Sequence, residues 1–541
     1  MNSVILVTLL SGALAGLYFW YQSKCPRIPL PPGPRGNPIF GSALELRTSK
    51  SFWINFAKWT DRFGPIVSVR MLFQKMIIVD DPKIVTYLFE KKASQYSDRY
   101  VSQLALLIGW ETDIIFIEYG PLLKRYRTLL QRALNNRVVL DYLPLQEHET
   151  KRLLRRLYES PEKFMQHIHL STLHYLPLQE HETKRLLRRL YESPEKFMQH
   201  IHLMAGSVAI RMVYGYKVDS ADDRLVQAAE QVMAIFSDSK WMIEVFPLLR
   251  YVPKWFPGAM FHKAVASWMP ILQATEDETF EFVKSQMAKG IAEPSFTSKL
   301  LQPENGESIT MEEEANIKRV AASLYGAASD TTVSAVKTFF LAMTLYPDVQ
   351  AKAQSEITSY LQAQPHKRFI TMDDKPNLSY INALIREVLR WHPVLTLVGH
   401  RSNGEDDENV VVGEKTYRIP ARTAVIANVW KIMHNPEVYP DPEMFVPERF
   451  MGDNPPPFPE DYAFGFGRRI CPGMHVAQQS MWLSISNILA NFTITKARDE
   501  HGVEIVPEEN YTNDIITHPL PFKCDIQPRP GREKWLSEID L

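Results

Sequence analysis

Phe464-Gly465-Phe466-Gly467-Arg468-Arg469-Ile470-Cys471-Pro472-Gly473 decides how this chain is read. The stretch fills every fixed position of the pattern F-x-x-G-x-R-x-C-x-G. A cysteine that binds metal must be ionised, and a tight turn that aims backbone N–H groups at sulfur favours the anion. Gly467 and Gly473 allow such a turn and a close approach. Arg469 suits a carboxylate of a bound group, and Phe464 can shield the sulfur from water. The bland alternative is a Gly-rich loop around an ordinary buried cysteine, and the number of filled positions argues against it.

The decamer resembles the haem-binding signature of the cytochrome P-450 family. The resemblance implies a haem-thiolate protein with Cys471 as axial iron ligand, Arg469 at a haem propionate, and Phe464 and Gly473 beside the sulfur. Thiolate ligation pushes electron density onto iron and favours O–O cleavage.

Three more motifs follow from this start. Thr310 and Glu313 read as a capping box that opens a helix stopping before Pro347. About 36 residues give roughly 54 Å, enough to cross a domain. Its middle, Gly326-Ala327-Ala328-Ser329-Asp330-Thr331-Thr332, is small and polar. By itself this is as readily a harmless polar patch. It is similar to the family's oxygen-activation motif, with Ala328 where a glycine is usual. The resemblance makes Thr331 and Asp330 the catalytic pair, a hydroxyl for dioxygen and a carboxyl that feeds protons. Glu387 and Arg390 form E-x-x-R, one face of a helix. A surface ion pair is the ordinary reading. The resemblance instead implies a buried triad with Arg449 that fixes the haem-binding core. Arg127 matches the arginine of a family W-x-x-x-R motif, with Leu123 in the tryptophan's place, and His400 matches a position that meets the other propionate.

Composition bounds the rest. The chain has 541 residues, 45% apolar and 23% charged, with a formal net charge of −1. Bulk charge gives no reason to expect nucleic acid as a partner. Cys25, Cys471 and Cys524 lie far apart and form neither a disulfide framework nor a C-x-x-C site. The fold expected is mainly α with a minor β-sheet, as in the cytochrome P-450 fold, plus an N-terminal transmembrane helix. Val4–Tyr21 is uncharged and long enough to span about 27 Å as a helix. Lys24, Arg27 and Arg35 follow it, which leaves the body in the cytosol. The rival is a signal peptide, disfavoured by the missing basic n-region. The expected organisation is an anchor over residues 1–24, a Pro-rich hinge over 25–38 and a haem-binding monooxygenase domain over 39–541. The expected location is the endoplasmic reticulum membrane, single-pass, with a cytosolic catalytic domain. Sequons at Asn377, Asn491 and Asn510 would then go unused.

Tyr142–Leu170 recurs without change as Tyr175–Leu203, offset by 33 residues. Solenoid repeats diverge and come in threes or more. Identity means a very recent duplication or an error in the assembled coding sequence. A compact fold has one slot for this segment, so Leu153, Leu154, Leu157 and Phe164 compete with Leu186, Leu187, Leu190 and Phe197.

The function expected from the resemblance is insertion of one oxygen atom from dioxygen into a lipophilic substrate, such as a terpenoid or other secondary metabolite. Electrons would come from NADPH through a separate NADPH-cytochrome P-450 reductase, docked on a basic stripe of Lys124, Arg125, Arg132 and Arg137. The chain carries no flavin or nicotinamide fingerprint of its own. The alternatives are a haem-thiolate isomerase or dehydratase, which Asp330-Thr331 argues against, and a product inactivated by the duplication. Leu104–Ile117, Phe236–Phe246 and Val394–Val398 are the expected pocket walls. The apolar loop Tyr251–Phe261 reads equally as a membrane-dipping loop or as core packing.

Overall fold

A computed structural model describes residues 28–134 and 175–539, except 39, 48, 50, 72–73, 219, 221–222, 238–242, 244–246, 256–258, 303–307 and 365–368. The longer helices are α1 (Phe52–Phe63), α2 (Pro121–Leu134), α3 (Leu176–Glu192), α4 (Phe197–Tyr214), α5 (Arg224–Ser237), α6 (Met260–Ala288), α7 (Met311–Leu345), α8 (Pro347–Gln362), α9 (Ser379–Trp391) and α10 (Met474–Asn491). The strands are β1 (Ile66–Met71), β2 (Gln74–Val79), β3 (Leu397–Arg401), β4 (Asp407–Val412), β5 (Lys415–Ile419), β6 (Ala424–Asn428), β7 (Phe492–Lys496) and β8 (Cys524–Pro528). The expected mainly helical architecture with small sheets is what the chain adopts.

The largest sheet runs β1-β2-β6-β3. β1–β2 and β3–β6 pair antiparallel, whereas β2–β6 pair parallel, which joins the N-terminal strands to a segment some 350 residues on. The Pro-rich stretch is non-helical, as expected, and residues 28–38 lie on the body rather than standing off it. Pro32 accepts the Ser68 N–H and Pro29 accepts the Arg418 N–H, both at 2.9 Å. The expected anchor, Val4–Tyr21, lies outside the described residues. Among those described, no helix is long and apolar enough to cross a membrane.

α7 is the axis of the body. Thr310 caps it, its hydroxyl accepting the Glu313 N–H while the Glu313 carboxylate accepts the Thr310 N–H. This is the capping box the spacing predicted. The C-terminal half of α7 presents Val333, Val336, Phe339, Phe340 and Met343, all fully buried, to the core it shares with α4, α9 and α10.

The slot for the repeated segment is filled by its second copy. Residues 175–203 supply α3 and the first turns of α4, with Leu186, Leu187, Leu190 and Phe197 in the main core, where Phe197 meets Phe340 of α7. Gln179 fixes α3 to α10 through the Val476 carbonyl at 3.0 Å and the Ser480 hydroxyl at 2.9 Å. Only this copy continues directly into Met204–Tyr214, the buried remainder of α4. The first copy, Tyr142–Leu170, lies outside the described residues.

Candidate active site

The Cys471 loop is held by its own backbone. The Cys471 N–H donates to the Phe464 carbonyl at 2.8 Å, closing a turn across the decamer. Gly467 has φ of +53°, and a Cβ there would meet the Phe89 carbonyl oxygen at 2.2 Å, so glycine is required. Gly473 departs from expectation. Its backbone is ordinary, and a Cβ would enter open space. Its part is to offer an N–H to the sulfur as the cap of α10.

Cys471 lies deep in the molecule, yet its surface is open. Both hold for a residue on the wall of an internal hollow. Burial pushes its thiol above the ordinary range, while the Gly473 N–H and the Arg127 cation pull it down. A bound metal ionises a coordinating thiol outright.

A cationic group surrounds this hollow. Arg469 donates to the carbonyls of Ser97 at 2.8 Å and Ile114 at 3.1 Å, and to that of Ile117, tying two irregular segments to the loop. Burial pushes its guanidinium down to about 9, and the nearby Arg99 and Arg127 cations add to this. Burial pushes the Arg99 guanidinium down to about 10, and its Nε has no partner among the described residues. Arg127 donates to the Ile470 carbonyl at 2.6 Å and lies beside Cys471. Asp98 offsets part of the charge on Arg469, and the positive charge left over beside Arg99 and Arg127 fits an anion.

His400 on β3 is buried and stacks on Phe89 with ring centroids 3.9 Å apart. Its Nδ1 donates to the Tyr96 carbonyl at 2.6 Å, and its Nε2 has no partner among the described residues. Burial and the Arg99 cation hold it well below the usual imidazole range, so the ring is neutral and Nε2 is a lone pair. Donation from Nε2 to a propionate therefore needs a second proton, which a nearby carboxylate would favour. The open thiol, the excess of arginines over carboxylates around it and a His400 Nε2 with no partner among the described residues together fit haem with two propionates.

Across from the loop, the middle of α7 opens. Ala327 is exposed in a helix that is buried on both sides. Gly326 and Ala327 bound a cavity of about 120 Å³ whose walls include Trp110, Phe116, Met233, Phe236 and Leu272. Gly326 serves packing, since a Cβ there would press on the Met233 sulfur at 3.1 Å. The Thr331 hydroxyl donates to the Ala327 carbonyl at 2.9 Å, and Asp330 accepts from His518 Nε2 at 3.1 Å.

The Glu387 network is complete. Arg390 donates from Nε to Glu387 Oε2 at 2.7 Å and from Nη2 to Oε1 at 2.9 Å, with both side chains fully buried. The same Oε1 also accepts from Arg449 Nε at 3.2 Å and from the Val446 N–H at 2.8 Å. Arg390 also caps the Met433 and Met444 carbonyls, each at 3.1 Å.

The profile of the cytochrome P-450 family matches residues 31–164 and 162–526. The chain belongs to the cytochrome P-450 family. Its two matched stretches overlap at residues 162–164, inside the first repeat copy. A cytochrome P-450 monooxygenase designated claR from Ampulloclitocybe clavipes is 35% identical, covering 99% of this chain and 93% of that protein. Cytochrome P-450 monooxygenase 208 of Postia placenta is 36% identical, covering 98% and 95%. Cytochrome P-450 monooxygenase ppsD of Aspergillus oryzae is 34% identical, covering 94% and 90%. The protein is accordingly a haem-thiolate monooxygenase supplied with electrons by a redox partner.

As a cytochrome P-450, the chain holds residues that its sequence did not flag. Arg99 stands in an irregular stretch with no motif around it. His518 joins Asp330 from 188 residues away. Of the expected pocket walls, Trp110, Thr112, Asp113, Ile115, Phe116 and Phe236 do line the cavity, whereas Tyr214, Met233, Leu272 and Arg319 were not foreseen. Val394 packs in the core instead. The basic stripe is shorter than expected, because Arg125 is spent on Glu312 at 3.3 Å and Glu313 at 3.0 Å, and Arg137 lies outside the described residues. Asn491 is fully buried, so its sequon is closed in the folded protein, while Asn377 and Asn510 are exposed.

Proposed function

We propose that this cytochrome P-450 hydroxylates a lipophilic secondary metabolite, of terpenoid type, that carries a polar group. The reading rests on the cavity beside Gly326 and Ala327. Aromatic and aliphatic walls suit an apolar body. On one side stand Asp113, Glu276 and Arg319. Asp113 is pushed up by burial, though the Ser323 hydroxyl at 2.5 Å and the Ile115 N–H at 2.9 Å oppose this. Glu276 is likewise pushed up by burial. Polar groups this dry reward a substrate hydroxyl or carboxyl and reject a plain hydrocarbon.

In this reading Cys471 ligates haem, the Gly473 N–H steadies the sulfur, and Phe464 keeps water from it. Arg99, Arg127, Arg469 and His400 hold the propionates. Haem supplies, when bound, the activation of dioxygen by thiolate-ligated iron. The protein's task is to hold the substrate in the cavity, exclude water, and present a hydroxyl at Thr331 Oγ1 and a proton at Asp330. Glu387, Arg390 and Arg449 keep the haem-binding core in shape and take no part in chemistry.

The same proposal extends to the setting. Val4–Tyr21 anchors the chain in the endoplasmic reticulum membrane with the body in the cytosol, and NADPH-cytochrome P-450 reductase supplies electrons. Trp255, Met260 and Tyr251 support membrane contact, being 80%, 77% and 71% exposed.

The test is expression of the full chain with a reductase and a panel of terpenoids. Oxygenated terpenoids should shift the haem spectrum and be turned over, with parent hydrocarbons weaker. D113N should narrow that difference. A preference for hydrocarbons would refute the polar-group reading, and a reduced carbon-monoxide band away from the thiolate position would refute the Cys471 assignment.

A further inference from the structure

Asp330 is part of a cluster that no other part of the mechanism uses. Five charged or titratable groups converge there from four elements. Asp330 and Lys337 stand two turns apart on α7, His202 comes from α4, Glu230 from α5, and His518 from the irregular segment before β8. His518 Nε2 lies 3.1 Å from Asp330 Oδ2. Lys337 Nζ lies 2.6 Å from His202 Nε2. His202 Nδ1 faces Glu230 Oε1 at 3.6 Å, and the Glu230 side chain is 48% exposed. The His202 and His518 rings lie nearly parallel, with centroids 6.4 Å apart.

We propose that His518 is the positioning residue that reloads Asp330 with protons during oxygen activation, an inference that rests on the monooxygenase activity of the family. Asp330 must give up one proton and recover it each cycle. Its carboxyl is buried, which pushes it up, but the His518 hydrogen bond and the Lys337 cation oppose this, and the carboxyl is held below the usual carboxylate range. It therefore rests as an anion and needs a donor.

His202 is excluded from that task. Burial and the adjacent Lys337 cation push it down to about 3, so it is neutral at working pH. Lys337 then donates to its Nε2, and the His202 proton sits on Nδ1, toward Glu230. His518 differs. Its Nε2 is on the carboxylate, and its Nδ1 is buried with no partner among the described residues, although the side chain as a whole is 17% exposed. Uptake of a proton at Nδ1, once water gains access to it, makes the ring an imidazolium. The Nε2–H bond then breaks, its electron pair stays on the ring, and an O–H bond forms at Asp330 Oδ2. The neutral Nδ1–H ring returns to its starting tautomer by exchange with water. No oxidant or reductant is consumed.

The experiment uses the full-length haem-loaded protein with its reductase, as parent, H518Q and H518A. Glutamine can keep an N–H on Asp330 but cannot carry a proton. Both variants should retain the parent's haem content and reduced carbon-monoxide band. Both should lose product formation by about 100-fold, with NADPH electrons diverted to hydrogen peroxide, and with an altered solvent isotope effect. If H518Q matches the parent in coupling and isotope effect, the residue merely braces Asp330 and the proposal fails. A second readout is independent of turnover. The His518 resonance in nitrogen-15 histidine spectra, assigned from H518Q, should move in D330N, and an unmoved resonance would also overturn the proposal. The parent's own band and turnover test the family activity separately.

Discussion

Two buried ionic clusters sit within the same body and are built in opposite ways. Around Glu387, both carboxylate oxygens are taken, by Arg390, Arg449 and the Val446 N–H, and Arg390 spends further donors on two carbonyls. Glu387 and Arg390 have no exposed surface. Around Asp330, one hydrogen bond at 3.1 Å comes from a ring whose other nitrogen has no partner among the described residues. That cluster ends at a half-exposed glutamate. A fully satisfied network rigidifies a core. An incompletely satisfied set of titratable groups is free to change charge, and such sets gather at functional sites. On the proposal above, the difference separates the cluster that holds the fold from the one that moves protons.

The sharpest way to break this contrast is Glu387→Ala. It leaves two guanidiniums buried without a counter-charge, at a cost of about 3–5 kcal/mol, a large share of a domain's stability. The expected result is little folded protein and no thiolate-type carbon-monoxide band. A well-folded E387A with parental haem content would mean the triad is decoration.

Next in size is a pair of substitutions in the repeat, which supplies His202 to the Asp330 cluster. Leu187→Ala should cost about 2–5 kcal/mol in chemical denaturation, because it empties a filled core site. The matching Leu154→Ala should change stability by less than about 0.5 kcal/mol. The reverse result would put the first copy in the slot and make His169 the imidazole of the cluster. Deleting residues 142–174 should, on the same argument, leave the haem spectrum unchanged.

How much of this was legible beforehand follows from how local each signal is. Glu387 and Arg390 are three apart on one helix, and α7 announced its start through Thr310 and Glu313, so short-range geometry sufficed. The Cys471 loop was legible because its turn and its sulfur contacts lie within ten residues. Arg99, His518 and the unforeseen cavity walls depend on which distant segments meet. Amphipathic helices such as α5 and α6 reveal an apolar face, but not which part of it is withheld from packing to line a cavity. The uses of Arg469 and His400 shifted for a related reason. Carbonyls of Ser97, Ile114 and Tyr96 claim their N–H groups, and backbone acceptors in irregular stretches leave no mark in sequence.

Asp330→Asn comes third. It keeps the side chain's shape but removes the proton it carries, so product formation should fall by about 100-fold or more, near 2.7 kcal/mol in barrier. Stability and the carbon-monoxide band should stay close to parental. That combination is the opposite of E387A, which loses stability first. A D330N protein that is unstable yet as active per haem would erase the distinction between the clusters.

The smallest effect concerns the acid side of stability. His202 is pushed down to about 3 in the folded protein, from an ordinary 6.5, by burial and then by the Lys337 cation. Between those two values the unfolded chain binds a proton at this site and the folded chain does not. Its contribution is therefore intact above the ordinary imidazole range and is lost progressively as pH falls toward 3, at no more than about 1.4 kcal/mol per pH unit. Asp330 works in the same direction at lower pH, since its held-down carboxyl favours the fold until acid protonates it. His202→Asn, measured by denaturation from pH 7 to 4, should flatten the slope of stability against pH. The same slope in parent and variant would show that this imidazole is not kept neutral by its surroundings, and would remove the reason for assigning the moving proton to His518 rather than His202.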